Sequence, residues 1–426
     1  MTDAKKNIGL KSTFIWTGIQ VFIKVLCGLI MNKIVAVTIG PSGLALIGQF
    51  QNFYAMCGSI ASGSIGSGVV KYTAEYKFQI ENRKSLWENS FYIHVVLTFL
   101  VLISIVIFSS DISLVFFKSN VSSNVLVFFA ATLFFSVLNL LFLSIINGLG
   151  DHRVFSILSM CLSVYTMIFV SIGCIFFGIT GVINGFIISQ SSIAFLTGFV
   201  LLKKYRCRFF SFEIKSFNVS KVKDLLIYGV ASFVSGMSVS LMLIIVRNII
   251  VKDSSLEIAG YWEAIWKFSV YYTMIGSLPA SIYYLPKYSE LTSLAEIRKN
   301  FWESVRFIIP LMIFVAVVIC FFSETFISLM FSKEFLIIAP FVPIIFIGDI
   351  IKVFNNLIMN LMYAKKFMNQ LILVEIITSL FVVVCSFYLF PIYGLSGIVY
   401  SYILAMTIAS LYFIFFFYSL NDDMCA

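Results

Sequence analysis

Eight charged residues stand inside apolar runs of this chain: Lys24, Lys33, Arg247, Glu263, Lys267, Asp349, Lys352 and Glu375. A charge at the centre of a bilayer costs from about 2.5 kcal/mol upward, so such residues face a cavity, pair with one another or snorkel to an interface. The chemistry open to them is the binding of a charged guest or the carriage of a proton. Depth and helical phase, at about 1.5 Å and 100° per residue, separate these roles.

Thr13, Thr17, Gln20 and Lys24 recur at the spacing of one helix face. A helix bathed in lipid would not carry that polar stripe, so Lys24 is expected to face a cavity. Lys33 lies nine residues on, turned by about 180° and displaced by about 13 Å. It either snorkels to the outer interface or, if the helix bends at Gly28, joins the same site. Arg247 ends a stripe of Ser232, Gly236 and Ser240. Small residues explain close helix packing but not the guanidinium, which is expected to be functional.

Glu263 and Lys267 are spaced i, i+4, and Asp349 and Lys352 are spaced i, i+3, so each pair can neutralise itself along its own helix. Tyr271 continues the first pair's face. Glu375 has no basic residue within four positions, and a carboxylate so placed can carry a proton. If both pairs cancel, Lys24, Lys33, Arg247 and Glu375 remain with a net charge of +2, which calls for an anionic guest. The expected substrate-binding cations are therefore Lys24, Arg247, Lys267, Lys352 and Lys33. The expected ion-coupling or cavity acids are Glu375, Asp349 and Glu263.

No catalytic residue, metal site or cofactor is expected. His94 and His152 are far apart and form no Cys/His cluster. There is no G-x-x-x-x-G-K-[ST] loop to hold a nucleotide. "GSIASGSIGSG" at 58–68 imitates a phosphate-cradling loop but ends an apolar run, which favours small-residue packing or a breakable helix end.

The elements that position these charges follow from composition. Of the 426 residues 60% are hydrophobic and 12% charged, about half the charge of a soluble domain. Such a chain cannot wet a globule of its size, so it is read as an all-α polytopic membrane protein. Apolar runs long enough to span, about 20 residues, fall at roughly 13–38, 44–69, 89–109, 122–146, 154–177, 181–202, 226–250, 258–283, 304–322, 337–363, 368–390 and 394–418. The first is too long for a signal-peptide core and is read as a retained span. About twelve transmembrane helices result, with both termini on one side.

The net charge of +9 does not point to nucleic acid, because most Lys and Arg lie in short gaps between spans. Twenty-one fall on the side of the termini and only Lys118, Lys252 and Lys333 on the other, which places both termini in the cytoplasm. The longest outer connector is expected around 110–121. The cysteines show no C-x-x-C spacing and read as small hydrophobes.

The connector 203–224 divides the chain into an N-terminal lobe, 1–202, and a C-terminal lobe, 225–426. Lys33 matches Arg247, Gly43 matches Gly260, and Lys71-Tyr72 matches Lys287-Tyr288, at offsets of 214 to 217 residues. Two pseudo-symmetric six-helix lobes around a central cavity follow, related by an axis along the membrane normal, as in transporters built from repeats.

"FIKVLCGLIMNKIVAVTIGPSGLALIGQFQNF" followed by "GSGVVKYTAEY" resembles the start of the enterobacterial lipid-linked oligosaccharide flippases. These are the O-antigen and enterobacterial-common-antigen translocases of the multidrug/oligosaccharidyl-lipid/polysaccharide exporter superfamily. Fainter echoes lie at 307–335 and 347–376. The resemblance implies alternating access in the bacterial inner membrane, carrying an undecaprenyl-pyrophosphate-linked sugar unit to the periplasmic leaflet, with ion-gradient coupling. It assigns the cavity charges to Lys24, Lys33, Arg247, Asp349 and Lys352. It also implies membrane lipids, a polysaccharide polymerase and a chain-length regulator as partners. A drug exporter of the same superfamily, and a membrane enzyme acting on lipid-linked glycans, are the competing expectations.

Overall fold

The computed structural model describes residues 2–118, 121–205, 219–291 and 293–420, with side chains given from Ile15 onward except at several positions of 219–231 and 278–290. In chain order the helices are α1 (Thr2–Ser62), α2 (Gly66–Glu75), α3 (Ile80–Ile107), α4 (Ser109–Phe117), α5 (Ser123–Gly148), α6 (His152–Tyr205) and α7 (Val219–Asp253). They continue as α8 (Leu256–Glu290), α9 (Leu294–Phe321), α10 (Ser323–Met330), a 3-10 turn (Lys333–Ile338), α11 (Phe341–Ala364), α12 (Met368–Tyr393) and α13 (Leu395–Ser419). Helices are the natural outcome, because in lipid the backbone must satisfy its own hydrogen bonds.

Among the described residues nine helices are long and apolar enough to cross a membrane. Two of them are double. The 54 residues of α6 would reach about 80 Å if straight, far beyond a hydrocarbon core of about 30 Å. α6 breaks at Gly178 (φ 59°, ψ −140°) and α1 at Gly40 (φ 74°, ψ −166°), in backbone regions that suit glycine. Pro41 follows Gly40 and has no N–H to continue the ladder. Dividing both helices at their kinks, and adding the 35-residue α8, brings the nine to the twelve spans expected.

The break in α6 is a tight hairpin. Gly173 meets the backbone of Gly181, and Gly185 meets the carbonyl of Phe169, so a Cβ at any of these glycines would strike main chain. Further along the two arms Ser189 Oγ lies 3.3 Å from Thr166 Oγ1. The same device recurs 216 positions later: Gly394 (φ 58°, ψ −137°) separates α12 from α13, and Gly397 meets the carbonyl of Leu389. "GITGVI" at 178–183 and "GLSGIV" at 394–399 are therefore the same turn used twice. Gly150 and Lys366, also 216 apart, both hold positive φ, 79° and 64°. Asn139 on α5 takes a hydrogen bond from Thr197 at 2.9 Å, and Asn355 on α11 one from Ser410 at 2.6 Å. The repeat inferred from a few scattered identities is thus carried by backbone geometry.

The chain forms two compact units: Met1–Ile39 with Leu46–Ser240, and Gly40–Ala45 with Leu241–Ala426. The second division falls inside α7, whereas the sequence suggests the connector 203–224, of which 206–218 lie outside the described residues. Small residues account for this. Gly229 abuts the Gly63 carbonyl, a Cβ on Gly236 would lie 3.5 Å from Ser59 Oγ, and Ser232 and Ser67 meet at 3.4 Å. The first half of α7 therefore packs on the end of α1 and the start of α2. In the second unit Gly260 packs against the Pro41 carbonyl.

The stretch 58–68 does both things expected of it. It supplies that packing, and it breaks the helix at Gly63 and Ser64, whose φ values are 57° and 50°. Ser64 holds its place by donating to the Ser59 carbonyl at 3.3 Å. The outer connector expected at 110–121 is largely the helix α4, because "SLVFF" is apolar enough to stay helical until Lys118 (φ 50°) stops it. Outside the spans, Asp151 ties the α5–α6 turn to the end of α6. Its carboxylate accepts from Lys204 Nζ at 2.6 Å and Tyr205 OH at 2.7 Å. Partial burial alone would raise this carboxyl, but these bonds outweigh it and hold it below the usual carboxylate range.

Candidate functional site

The second unit gathers five of the eight intramembrane charges on α7, α8 and α11. Arg247 on α7 donates from Nη2 to Glu263 Oε2 on α8, and both side chains are buried, 2% and 6% exposed. Lys267, one turn beyond Glu263, places its ammonium 4.0 Å from Oε1 and is 12% exposed. The i, i+4 pair of Glu263 and Lys267 is therefore present along α8, and Glu263 is shared with Arg247 rather than leaving it over. A guanidinium from the neighbouring helix takes the carboxylate, because its planar fork suits a buried carboxylate better than an ammonium on the same helix.

Asp349 and Lys352 form no direct salt bridge among the described residues. Asp349 on α11 is fully buried, and its Oδ1 accepts from Ser269 Oγ at 2.6 Å and from Tyr402 OH at 2.9 Å. Its Oδ2 has no hydrogen-bond partner among the described residues. Lys352, one turn on, sits over the rings of Trp266 at 5.3 Å and Tyr402 at 6.0 Å. Cation–π contacts of this kind contribute about 0.5–2 kcal/mol. Trp266 and Tyr402 meet edge to face at 5.6 Å, and Tyr272 stacks on Phe346 at 4.1 Å. This aromatic frame fixes the helices that carry the two carboxylates.

The first unit holds Lys24 and Lys33 on α1, whose backbone runs regularly through Gly28 to the kink at Gly40. Ile15, Ile19, Phe22, Leu26, Ile30 and Val37 are exposed apolar residues, and they fall within an arc of about 80°. That arc is the lipid face. Lys24 is also exposed but stands roughly 160° from its middle, beside the half-buried Thr17 and Gln20. Lys33, half-buried, falls inside the apolar arc, which is where a snorkelling lysine belongs. The side chain of Thr13 lies outside the described residues.

Glu375 is half-buried on α12, within electrostatic reach of Tyr363. The sequence reading missed Ser269, Tyr402 and Trp266, which hold Asp349 and Lys352; nothing short of the fold brings them together. It also passed over Glu88, buried at the start of α3 and 3.7 Å from Lys84. His94, near the middle of the helix α3, is buried with Nδ1 2.7 Å from the Ser90 carbonyl.

No family model matches the chain. Among solved structures, an inward-facing multidrug resistance MATE family transporter of the MOP superfamily superposes with a TM-score of 0.75 at 16% identity, over 96% of this chain and 98% of that one. The MATE multidrug transporter DinF-BH gives 0.74 at 16% identity, over 96% and 95%. The chain is a multi-pass, all-α membrane protein with the MATE transporter fold. In sequence it is similar to the lipid III flippases of Escherichia coli (strain K12) and Shigella flexneri, 20% identical over 328 residues, which are 77% of this chain and 79% of each relative. These relatives are named flippases and transporters, not enzymes.

Proposed function

We propose that this protein is a flippase that carries an undecaprenyl-pyrophosphate-linked oligosaccharide, an O-antigen or related repeat unit, across the bacterial inner membrane by alternating access. The observation that carries the reading is Lys24: an exposed ammonium at the middle of a span, on the helix face turned away from lipid. Together the eight intramembrane charges sum to +2, a field that attracts a diphosphate. The lipid III flippase relatives add support for a lipid-linked substrate. On this reading Lys24, Lys267 and Lys352 are the cations that meet the ligand, Arg247 is paired with Glu263, and Lys33 lies at the interface.

Direction comes from an ion gradient. Asp349 is the better coupling carboxylate, since it is fully buried with one oxygen lacking a hydrogen-bond partner among the described residues, and Glu375 is second. Both termini are assigned to the cytoplasm from the Lys/Arg distribution. Reporter fusions after Arg83 and after Lys118 should read cytoplasm and periplasm respectively, and the reverse result would invert the assignment.

Drug export is the second reading, because the solved neighbours are titled multidrug transporters. A net-basic set of intramembrane charges opposes the cationic drugs such pumps commonly carry. The deciding experiment reconstitutes the protein in vesicles with either a fluorescent undecaprenyl-pyrophosphate glycan or a lipophilic cationic dye. Protein-dependent movement of the unmodified glycolipid is expected. Movement of the dye alone would replace the flippase reading, and chemical conversion of the glycolipid would make the protein an enzyme.

A further inference from the structure

We propose that Lys299, Trp302 and Arg306, on the outer face of α9, form a binding site for the headgroup of an anionic phospholipid of the phosphatidylglycerol kind. The inference needs only that α9 crosses the membrane, so it stands or falls apart from the flippase reading.

The site grows out of a repeated motif. "ENRKSLWE" at 81–88 opens α3 and "EIRKNFWE" at 296–303 opens α9, 215 positions apart, so Glu, Arg, Lys, Trp and Glu recur in register. The first copy is spent inside the protein. Arg83 donates to the Lys77 carbonyl at 3.3 Å and lies 5.2 Å from the Trp87 ring. Buried Trp87 donates to Thr73 Oγ1 at 3.0 Å, and Lys84 stands 3.7 Å from Glu88. In the second copy Arg298 donates to the Tyr418 carbonyl at 3.3 Å and lies 5.8 Å from its ring. Lys299, Trp302, Glu303 and Arg306 are exposed, and neither Lys299 nor Arg306 has a hydrogen bond or an ion pair among the described residues.

Helical phase accounts for the difference. At 100° per residue, Trp302, Arg306, Lys299 and Glu303 fall within an arc of about 100°. Ile313, Phe314, Val317 and Phe321, 48% to 81% exposed, continue that arc along the span. The cations therefore head the lipid-facing stripe, at the end of α9 that the Lys/Arg distribution assigns to the cytoplasm. On α3 the exposed residues Val96, Phe99, Ile103 and Ile107 centre about 100° from Lys84 and about 160° from Trp87. The first copy turns away from lipid.

The chemistry selects the occupant. Side chains on a helix lean toward its N-terminus, so Arg306 leans back toward Trp302 and the headgroup layer, and its long stem lets the guanidinium reach it. The guanidinium fork grips a phosphate through two donors, and the Lys299 ammonium adds a point charge. Trp302 presents an apolar ring with an N–H at its edge, which suits the boundary between headgroup and chain. Lys299, Glu303 and Arg306 sum to +1, which matches the single negative charge of a phosphodiester rather than a diphosphate. The acyl chains lie along Ile313, Phe314 and Val317.

The test is native mass spectrometry of the full chain from nanodiscs of phosphatidylcholine and phosphatidylglycerol, with thermal unfolding alongside. A basic residue beside an anionic headgroup is worth about fivefold in affinity. Lys299→Gln and Arg306→Gln should each weaken retention of phosphatidylglycerol by that factor, and together by about twenty-five-fold. Lys84→Gln, at the same motif position on α3, should change nothing; an equal loss there would reveal a diffuse surface field and overturn the site. Phosphatidylglycerol with brominated chains should quench tryptophan fluorescence, and quenching unchanged in Trp302→Phe overturns the proposal. If the double variant does not fold, Lys299→Gln decides alone, since unchanged retention there is equally fatal. Preferential retention of undecaprenyl pyrophosphate through Lys299 and Arg306 would also overturn it and make the face a loading site for that lipid. A stable dimer lost in Arg306→Gln would overturn it by giving the face to a second copy. A protein that moves no glycolipid but loses phosphatidylglycerol as stated refutes the flippase reading and upholds this inference.

Discussion

Lys24→Ala should abolish complementation of a flippase-null strain while the protein still reaches the membrane. Lys24 is exposed on the side of α1 opposite Ile15, Phe22 and Leu26, so removing it breaks no buried pair and leaves the lipid face intact. On the proposed flippase reading, what is lost is one positive charge on the path of the diphosphate. At 4 Å such a pair is worth about 1 kcal/mol in bulk water and about 4 near a protein surface. The transport rate should therefore fall by about fivefold to a thousandfold, enough at the upper end to lose the phenotype. Lys24→Arg should keep much of the activity, because a field acting across water needs charge more than fixed geometry. Lys33→Ala, within the apolar arc of the same helix, should be mild. A well-expressed Lys24→Ala variant with wild-type glycolipid transport would leave the lysine without a part in binding and remove the main support for an anionic guest.

The stripe of Thr17, Gln20 and Lys24 is a local pattern, and a helix that stays regular through Gly28 preserves it. The partners of Arg247 were not legible for the opposite reason. Spacing along one helix sees only i, i+3 and i, i+4 neighbours, whereas Glu263 reaches Arg247 across α7 and α8. Asp349 repeats the lesson. Its position on α11 was evident, but Ser269 and Tyr402, 80 and 53 residues away, come to it only through packing.

The glycine hairpins are a different case. "GITGVI" and "GLSGIV", 216 residues apart, were in plain view, and a G-x-x-G at the junction of two apolar runs is a physical signal, since only glycine lets the two arms touch backbone to backbone. That signal is stronger evidence for the repeat than Lys33 and Arg247, which match in sequence yet end in different surroundings. The unit boundary inside α7 depends on Gly229 meeting the Gly63 carbonyl, a contact between residues 166 positions apart that no local pattern announces.

The remaining large effect belongs to Asp349. Asp349→Asn should leave the protein folded and able to equilibrate its glycolipid, but no longer driven by a proton gradient. The substitution keeps an oxygen to accept from Ser269 Oγ and Tyr402 OH, now 2.6 and 2.9 Å from Oδ1. It changes the other atom, Oδ2, which has no hydrogen-bond partner among the described residues. Lys352 loses a nearby negative charge but keeps its seat over Trp266 and Tyr402, so the helix packing has no reason to fail. What disappears is the capacity to take up and give back a proton or cation at a fully buried point of α11. One pH unit is worth about 1.4 kcal/mol per proton, a factor of about ten in the driving force. A wild-type vesicle given that gradient should therefore accumulate glycolipid up to about tenfold beyond equilibrium, and Asp349→Asn should not exceed equilibrium at all. Glu375→Gln serves as the comparison, since Glu375 is also a carboxylate within a span. If Asp349→Asn still accumulates glycolipid with the wild-type dependence on pH while Glu375→Gln does not, coupling belongs to α12 and the Asp349 cluster is structural. If both variants accumulate normally, the gradient acts elsewhere, and the buried carboxyl of α11 holds α8 and α13 in place through its two hydroxyl donors and nothing more.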